Sequence, residues 1–183
     1  MRKVILDLCG GTGAWSKPYR DAGYDVRLVT LPDHDIRLFL FDDLHVRGIL
    51  ASPPCTMFSL SRTRPVPTET DIREALSIVD ACLRLVVVFS PAWWALENPR
   101  GRLHKYLGPP SLEFDPWNYG DPYYKYTCLW GRFSLPKVNG CFPTLSRPGS
   151  CWTKEVPGSG EKRRERRSQT PAGFARAFFE ANP

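Results

Sequence analysis

The chain has 183 residues, 42% of them hydrophobic and 24% charged, which excludes wholesale disorder and provides for one domain with a proper core but not two. Its longest apolar stretch, Leu83 to Leu96, is interrupted by Arg84, Ser90 and Pro91, so no bilayer-spanning helix is expected, and with no signal-peptide pattern at the start the expected location is intracellular. A net charge of +6 suits a polyanionic partner such as nucleic acid or a nucleotide phosphate.

In chain order, Val4 to Leu8 is an apolar run that ends in the turn Cys9-Gly10-Gly11-Thr12-Gly13. This predicts a strand, a loop and then a helix from about Ala14 to Ala22, stopped at Gly23. A second strand is expected over Asp25 to Leu31. A third, Val46 to Ala51, is closed by Ser52-Pro53-Pro54, because prolines cannot continue a ladder. Apolar residues recur at helical spacing from Thr70 to about Leu85, with Thr70 or Asp71 as cap, and Leu85 to Phe89 either extend that helix or turn. Trp93 to Leu96 reads as a buried strand ending at Glu97-Asn98-Pro99. Beyond residue 100, prolines and aromatics predict short strands and ordered loops, with one strand pair, Tyr126 to Trp130 against Arg132 to Leu135. A final helix, Ala172 to Ala181, is expected with Thr170 as cap and Pro171 at its first position. Strands alternating with helices imply an α/β fold with a mostly parallel sheet and helices on both faces.

Six cysteines are scattered with no pair at two-residue spacing, so no metal is expected; the stretch Cys128 to Cys151 contains no His. The basic run Lys162 to Arg167 follows Pro157-Gly158-Ser159-Gly160 and reads either as a phosphate-gripping segment or as solvated charge. Ligands of a parallel sheet bind beyond the carboxyl ends of its strands. Three features fall there: the glycine turn after Leu8, Cys55 after the third strand, and Glu97 after Leu96. Singly, the turn reads also as a tight strand-to-helix connection and Cys55 as an inert core filler. Glu97, between an apolar strand and a proline, must reach solvent or find a proton or partner.

Together these residues resemble the cytosine carbon-5 methyltransferase family. Leu6-Asp7-Leu8-Cys9-Gly10-Gly11-Thr12-Gly13-Ala14-Trp15 is similar to its first motif. Asp35-Ile36-Arg37 is similar to the acidic element that touches adenine, Ser52-Pro53-Pro54-Cys55-Thr56-Met57-Phe58-Ser59 to the nucleophile motif, and Glu97-Asn98-Pro99 to the glutamate motif. Tyr119-Gly120-Asp121-Pro122, with Lys125 and Thr127 after it, resembles the segment that positions cytosine.

The resemblance implies a Rossmann-like class I methyltransferase fold over residues 1 to 183, with a Pro- and aromatic-rich substrate-facing region at about 105 to 160. It implies S-adenosylmethionine as cofactor, held by Asp7, Cys9, Gly10, Gly11, Gly13, Trp15, Asp35, Ile36, Pro53 and Thr170. Cys55 and Glu97 would be catalytic, and Pro54, Ser59, Asn98, Lys125 and Thr127 would bind substrate. Thr56, Pro99, Lys125 and Thr127 stand where the family usually has glutamine, valine and two arginines. Only Arg132 to Gln169 remains for target recognition. The implied activity is cytosine carbon-5 methylation, in DNA with little sequence preference. The alternatives are a cytidine mononucleotide as substrate, or a non-catalytic cofactor- or nucleic-acid-binding relative. An amino-group methyltransferase is a further reading, against which stands the lack of an aromatic at the position of Cys55.

Overall fold

The computed structural model describes residues 3–40, 45–60, 66–121, 123–139, 160 and 168–183. Strand β1 (Val4–Leu8) leads to α1 (Lys17–Asp21) and β2 (Asp25–Val29). Then come β3 (Val46–Ala51), α2 (Glu69–Phe89), β4 (Trp93–Pro99) and α3 (His104–Leu107). Strand β5 (Leu112–Phe114), a 3-10 turn (Pro116–Tyr119), β6 (Thr127–Arg132) and α4 (Ala172–Ala181) complete the order.

The six strands form one sheet in the order β2-β1-β3-β4-β6-β5. β1 runs parallel to β2 and β3, and β3 parallel to β4. β6 lies antiparallel between β4 and β5. The expected α/β class and mostly parallel sheet are therefore present.

Alternation along the strands divides the core in two. Leu6, Leu8, Ile49 and Leu96 pack with Val79, Cys82 and Leu85 of α2 on one face. Ile5, Leu50, Ala95 and Leu129 pack with Tyr19 of α1 and Phe174 and Phe178 of α4 on the other. Helices thus cover both faces, and all five residues of β1 are buried, which is why this strand reads as an apolar run broken only by Asp7.

Several elements differ from expectation for physical reasons. α1 begins at Lys17 rather than near Ala14, since an earlier start would place Pro18 in the helix interior, where its missing N–H and its ring are not tolerated. β2 stops at Val29, whose carbonyl accepts from the Cys9 N–H just where β1 ends. α2 is capped by Thr68, not Thr70 or Asp71: its hydroxyl accepts from the Asp71 N–H while the Asp71 carboxylate accepts from the Thr68 N–H. The helix continues through Leu85 to Phe89 and ends at Ser90, in the left-handed region at φ +43°.

The expected strand pair around Gly131 does not form. Gly131 (φ +145°) lies inside β6, where a Cβ would come 2.2 Å from the Trp94 carbonyl oxygen, so the chain runs on beside β4 instead of folding back. The last helix has the expected span but not the expected cap. Pro171 precedes it, and the Gly173 N–H donates to Oδ2 of Asp121 at 2.9 Å. Pro122, Cys141, Cys151, the basic run Lys162 to Arg167 and most of the Arg132 to Gln169 stretch left for target recognition lie outside the described residues.

Candidate active site

The parallel strands β1, β3 and β4 end at one edge of the sheet, and antiparallel β6 starts there, Thr127 lying opposite Pro99 and Leu129 opposite Glu97. The glycine turn, the Cys55 loop, Glu97 and the Lys125–Thr127 segment therefore meet at one edge. Ser52 N–H donates to the Leu8 carbonyl, carrying the ladder into the loop that precedes Cys55.

The glycine turn rests on a buried acid. Asp7 is fully buried and accepts from Ser16 Oγ at 2.5 Å through Oδ2, while Oδ1 has no hydrogen-bond partner. A Cβ on Gly10 would fall 2.1 Å from Asp7 Oδ1, so only glycine lets the turn close over the carboxyl group. Burial raises the Asp7 pKa to about 6, against the lowering effect of Ser16 and Arg20. Cys9 adopts φ +56°, Gly11 +56° and Gly13 +70°. Open space surrounds Gly11 where a side chain would project, leaving an uncovered stretch of backbone. The Cys82 thiol on α2 hydrogen-bonds Cys9, drawing the Cys9 thiol below its usual range and holding Cys82 above it.

The turn residues that would hold a cofactor are Gly11, the position with open space beside it, and its neighbours Cys9, Gly10 and Gly13. The other residues expected at the cofactor take the following places in the fold. Asp7 is the buried prop of the turn. Trp15, 1% exposed, is a core residue against Phe174 and Phe178. Ile36 is buried beside α2, and the Asp35 carboxylate is held by Arg37, which lowers its pKa. Pro53 is buried. Thr170 is half-buried ahead of α4 and is not its cap.

Cys55 is half-buried and in no disulfide. Its carbonyl accepts from the N–H groups of Phe58 and Ser59, closing a turn anchored by the fully buried Phe58 ring. Two ties bind this loop to β4. Asn98 Nδ2 donates to the Pro53 carbonyl at 2.9 Å, and the Arg102 N–H donates to the Phe58 carbonyl at 2.7 Å. Ser59 bridges to Gly101, where a Cβ would stand 2.1 Å from the Phe58 oxygen. Pro54 is exposed on the same loop. Gly101 was invisible to motif reading, its only signal being a glycine two residues beyond Glu97-Asn98-Pro99.

Glu97 is 8% exposed, and burial raises its pKa while the charge of Lys125 opposes the shift. Lys125 donates its backbone N–H to Asp115 and its ammonium to the Gln169 carbonyl. Thr127 is 1% exposed and donates its hydroxyl to the Lys125 carbonyl. Tyr119 is in the core against Phe114 and Phe174; Trp117, Tyr123 and Tyr124 are half-buried. Among the described residues no group of His, Cys, Asp and Glu could hold a metal ion, and no helix is long and apolar enough to cross a membrane.

No family model and no curated protein matches the sequence. Among solved structures the chain is similar to an E. coli prophage-encoded protein assigned as a DNA modification methyltransferase, at 18% identity and a TM-score of 0.50. The match covers 71% of this chain and 46% of that one, so this chain spans about half the length of its structural relative. The likeness is one of fold: an α/β architecture found in a methyltransferase.

Proposed function

We propose that this chain is a Rossmann-like class I methyltransferase that uses S-adenosylmethionine to methylate carbon 5 of cytosine, in DNA with little sequence preference. The supporting observation is the tie between neighbouring strand ends, where the Asn98 side chain holds the Pro53 carbonyl and so locks the Cys55 loop to the strand carrying a buried Glu97. Cytosine carbon 5 is too weak a nucleophile to take a methyl group until electron density enters the ring.

The Cys55 thiolate supplies it by bonding to carbon 6. Glu97, whose burial raises its pKa, acts as the acid and donates toward ring nitrogen 3 as negative charge develops there. Cys9, Gly10, Gly11 and Gly13 would hold S-adenosylmethionine, which when bound would supply an electrophilic methyl group on its sulfonium. Loss of the carbon 5 proton to a base then restores the ring double bond and expels Cys55 as thiolate. Lys125, whose charge reaches Glu97, holds a substrate carbonyl or phosphate as a point charge without the planar fork of an arginine.

The experiment is transfer of labelled methyl from S-adenosylmethionine to single-stranded DNA, duplex DNA or cytidine nucleotides, with mass analysis of the product. Label should enter cytosine carbon 5 of DNA. Cys55→Ser should abolish transfer, and Glu97→Gln should slow it by about tenfold to a hundredfold, as loss of acid catalysis does. Label in nucleotides alone would move the substrate to the free cytidine nucleotide. Activity surviving Cys55→Ser, or label on the amino group, would overturn the covalent mechanism.

A further inference from the structure

A cavity of about 370 Å³ opens on the α2 side of the sheet, the side away from Glu97. Trp130 and Cys128 of β6 line it, with Pro109, Pro110 and Leu60 as apolar walls and Arg100 and Glu113 among its polar groups. It adjoins the candidate site: Leu60 follows Ser59 of the Cys55 loop, and Gly101, also in its lining, is packed against Phe58 of that loop.

The polar groups are fixed by one another and remain available to a ligand. Glu113 Oε2 accepts from the Tyr126 hydroxyl at 2.8 Å, and Oε1 from the Cys128 thiol at 3.7 Å. That thiol stays protonated, because burial and then the Glu113 charge push it up to about 12. A carboxylate has about four acceptor positions, so each oxygen of Glu113 keeps one. The Arg100 guanidinium lies over the Tyr126 ring at 5.0 Å and makes no ion pair among the described residues.

Two adjacent acceptors call for two adjacent N–H donors. Guanine alone among the DNA bases presents such a pair, at ring nitrogen 1 and its exocyclic amine, while its O6 and N7 are acceptors suited to an arginine. Resting on the nucleic-acid reading above, we propose that this cavity takes a guanine base of a single-stranded substrate, within a few nucleotides of the target cytosine. Glu113 accepts the base's N–H pair, Arg100 donates to an acceptor on the base, and Trp130, Pro109 and Pro110 cover its apolar ring. A base held here gives the chain a context preference that its short recognition region does not otherwise supply.

The test is fluorescence anisotropy with short single-stranded oligodeoxynucleotides containing one cytosine and one nearby guanine, against the same strands carrying inosine, which lacks only the exocyclic amine. Wild-type protein should bind the inosine strands about tenfold more weakly, as the loss of a specific base contact does. Glu113→Gln should bind both strands alike, with a melting temperature showing that it is folded. Arg100→Gln should weaken guanine strands while retaining part of the preference. Equal binding of guanine and inosine by the wild type overturns the proposal. Methyl transfer to the same strands is scored separately: transfer without base discrimination ends the cavity proposal and leaves the catalytic reading, and discrimination without transfer does the reverse.

Discussion

Two buried carboxyl groups stand near the ends of β1 and β4, and both owe their raised pKa to burial, which penalises the charged form. Their partners separate their roles. Glu97 has the charge of Lys125 close by, and the proposed function makes it the acid that meets the substrate ring. Asp7 is sealed beneath Gly10 with one oxygen satisfied by Ser16 and the other orphaned. Asp7 therefore acts on stability. Its folded pKa, about 6, exceeds the ordinary value of 3.8, so in that window the folded chain binds a proton that the unfolded chain has released. Stability conferred by this group is complete below about pH 4 and is lost as pH rises through about 6. The shift corresponds to a loss on the order of 3 kcal/mol. Asp7→Asn, which cannot titrate, should flatten the denaturation midpoint over that window relative to wild type. An unchanged pH profile would mean that the acid is not protonated in the fold.

At the scale of elements, the Cys55 loop is positioned by contacts made after Glu97. Gly101 meets the Phe58 carbonyl so closely that an added Cβ would overlap backbone, not the end of a flexible side chain. Gly101→Ala must push the loop and β4's extension apart. Overpacking of this kind costs roughly 1–3 kcal/mol, and displacing a nucleophile by about 1 Å costs on the order of a hundredfold in rate. A variant that stays folded by circular dichroism yet loses methyl transfer is the expected outcome; full activity would show that the loop is not held there. The same contact explains what the sequence could and could not disclose. Cys55 and Glu97 stood out as candidates in the sequence because each lies near the end of a buried strand and carries chemistry in its own side chain. Gly101, Ser16 and Asp121 did not, since each acts through a partner distant in sequence or through bare backbone. The boundaries of α1 and the cap of α2 were missed for a local reason: Pro18 and the Thr68–Asp71 box outweighed hydrophobic periodicity.

For the molecule as a whole, the mostly parallel sheet could be read from apolar runs alternating with helical spacing, while the place of β6 between β4 and β5 could not. Its register depends on Gly131 lying flat against β4, a packing fact with no periodic signature. Antiparallel β6 thereby brings Lys125, two residues before its start, to the edge where β1, β3 and β4 end. Under the proposed function, electrostatics separates a polymer from a single nucleotide as substrate at that edge. With Lys and Arg exceeding Asp and Glu by 25 to 19, a strand crossing this edge would displace several condensed counterions, whereas a mononucleotide carries no such atmosphere. Affinity for a single-stranded oligonucleotide should therefore fall at least about tenfold between roughly 50 and 200 mM salt, with a logarithmic slope of about −0.7 per phosphate neutralised. Titrations at several salt concentrations, with a cytidine nucleotide run in parallel, measure that slope. A slope near zero for the oligonucleotide would remove DNA as substrate and leave the nucleotide, since a polymer gripped through its phosphates cannot be indifferent to salt.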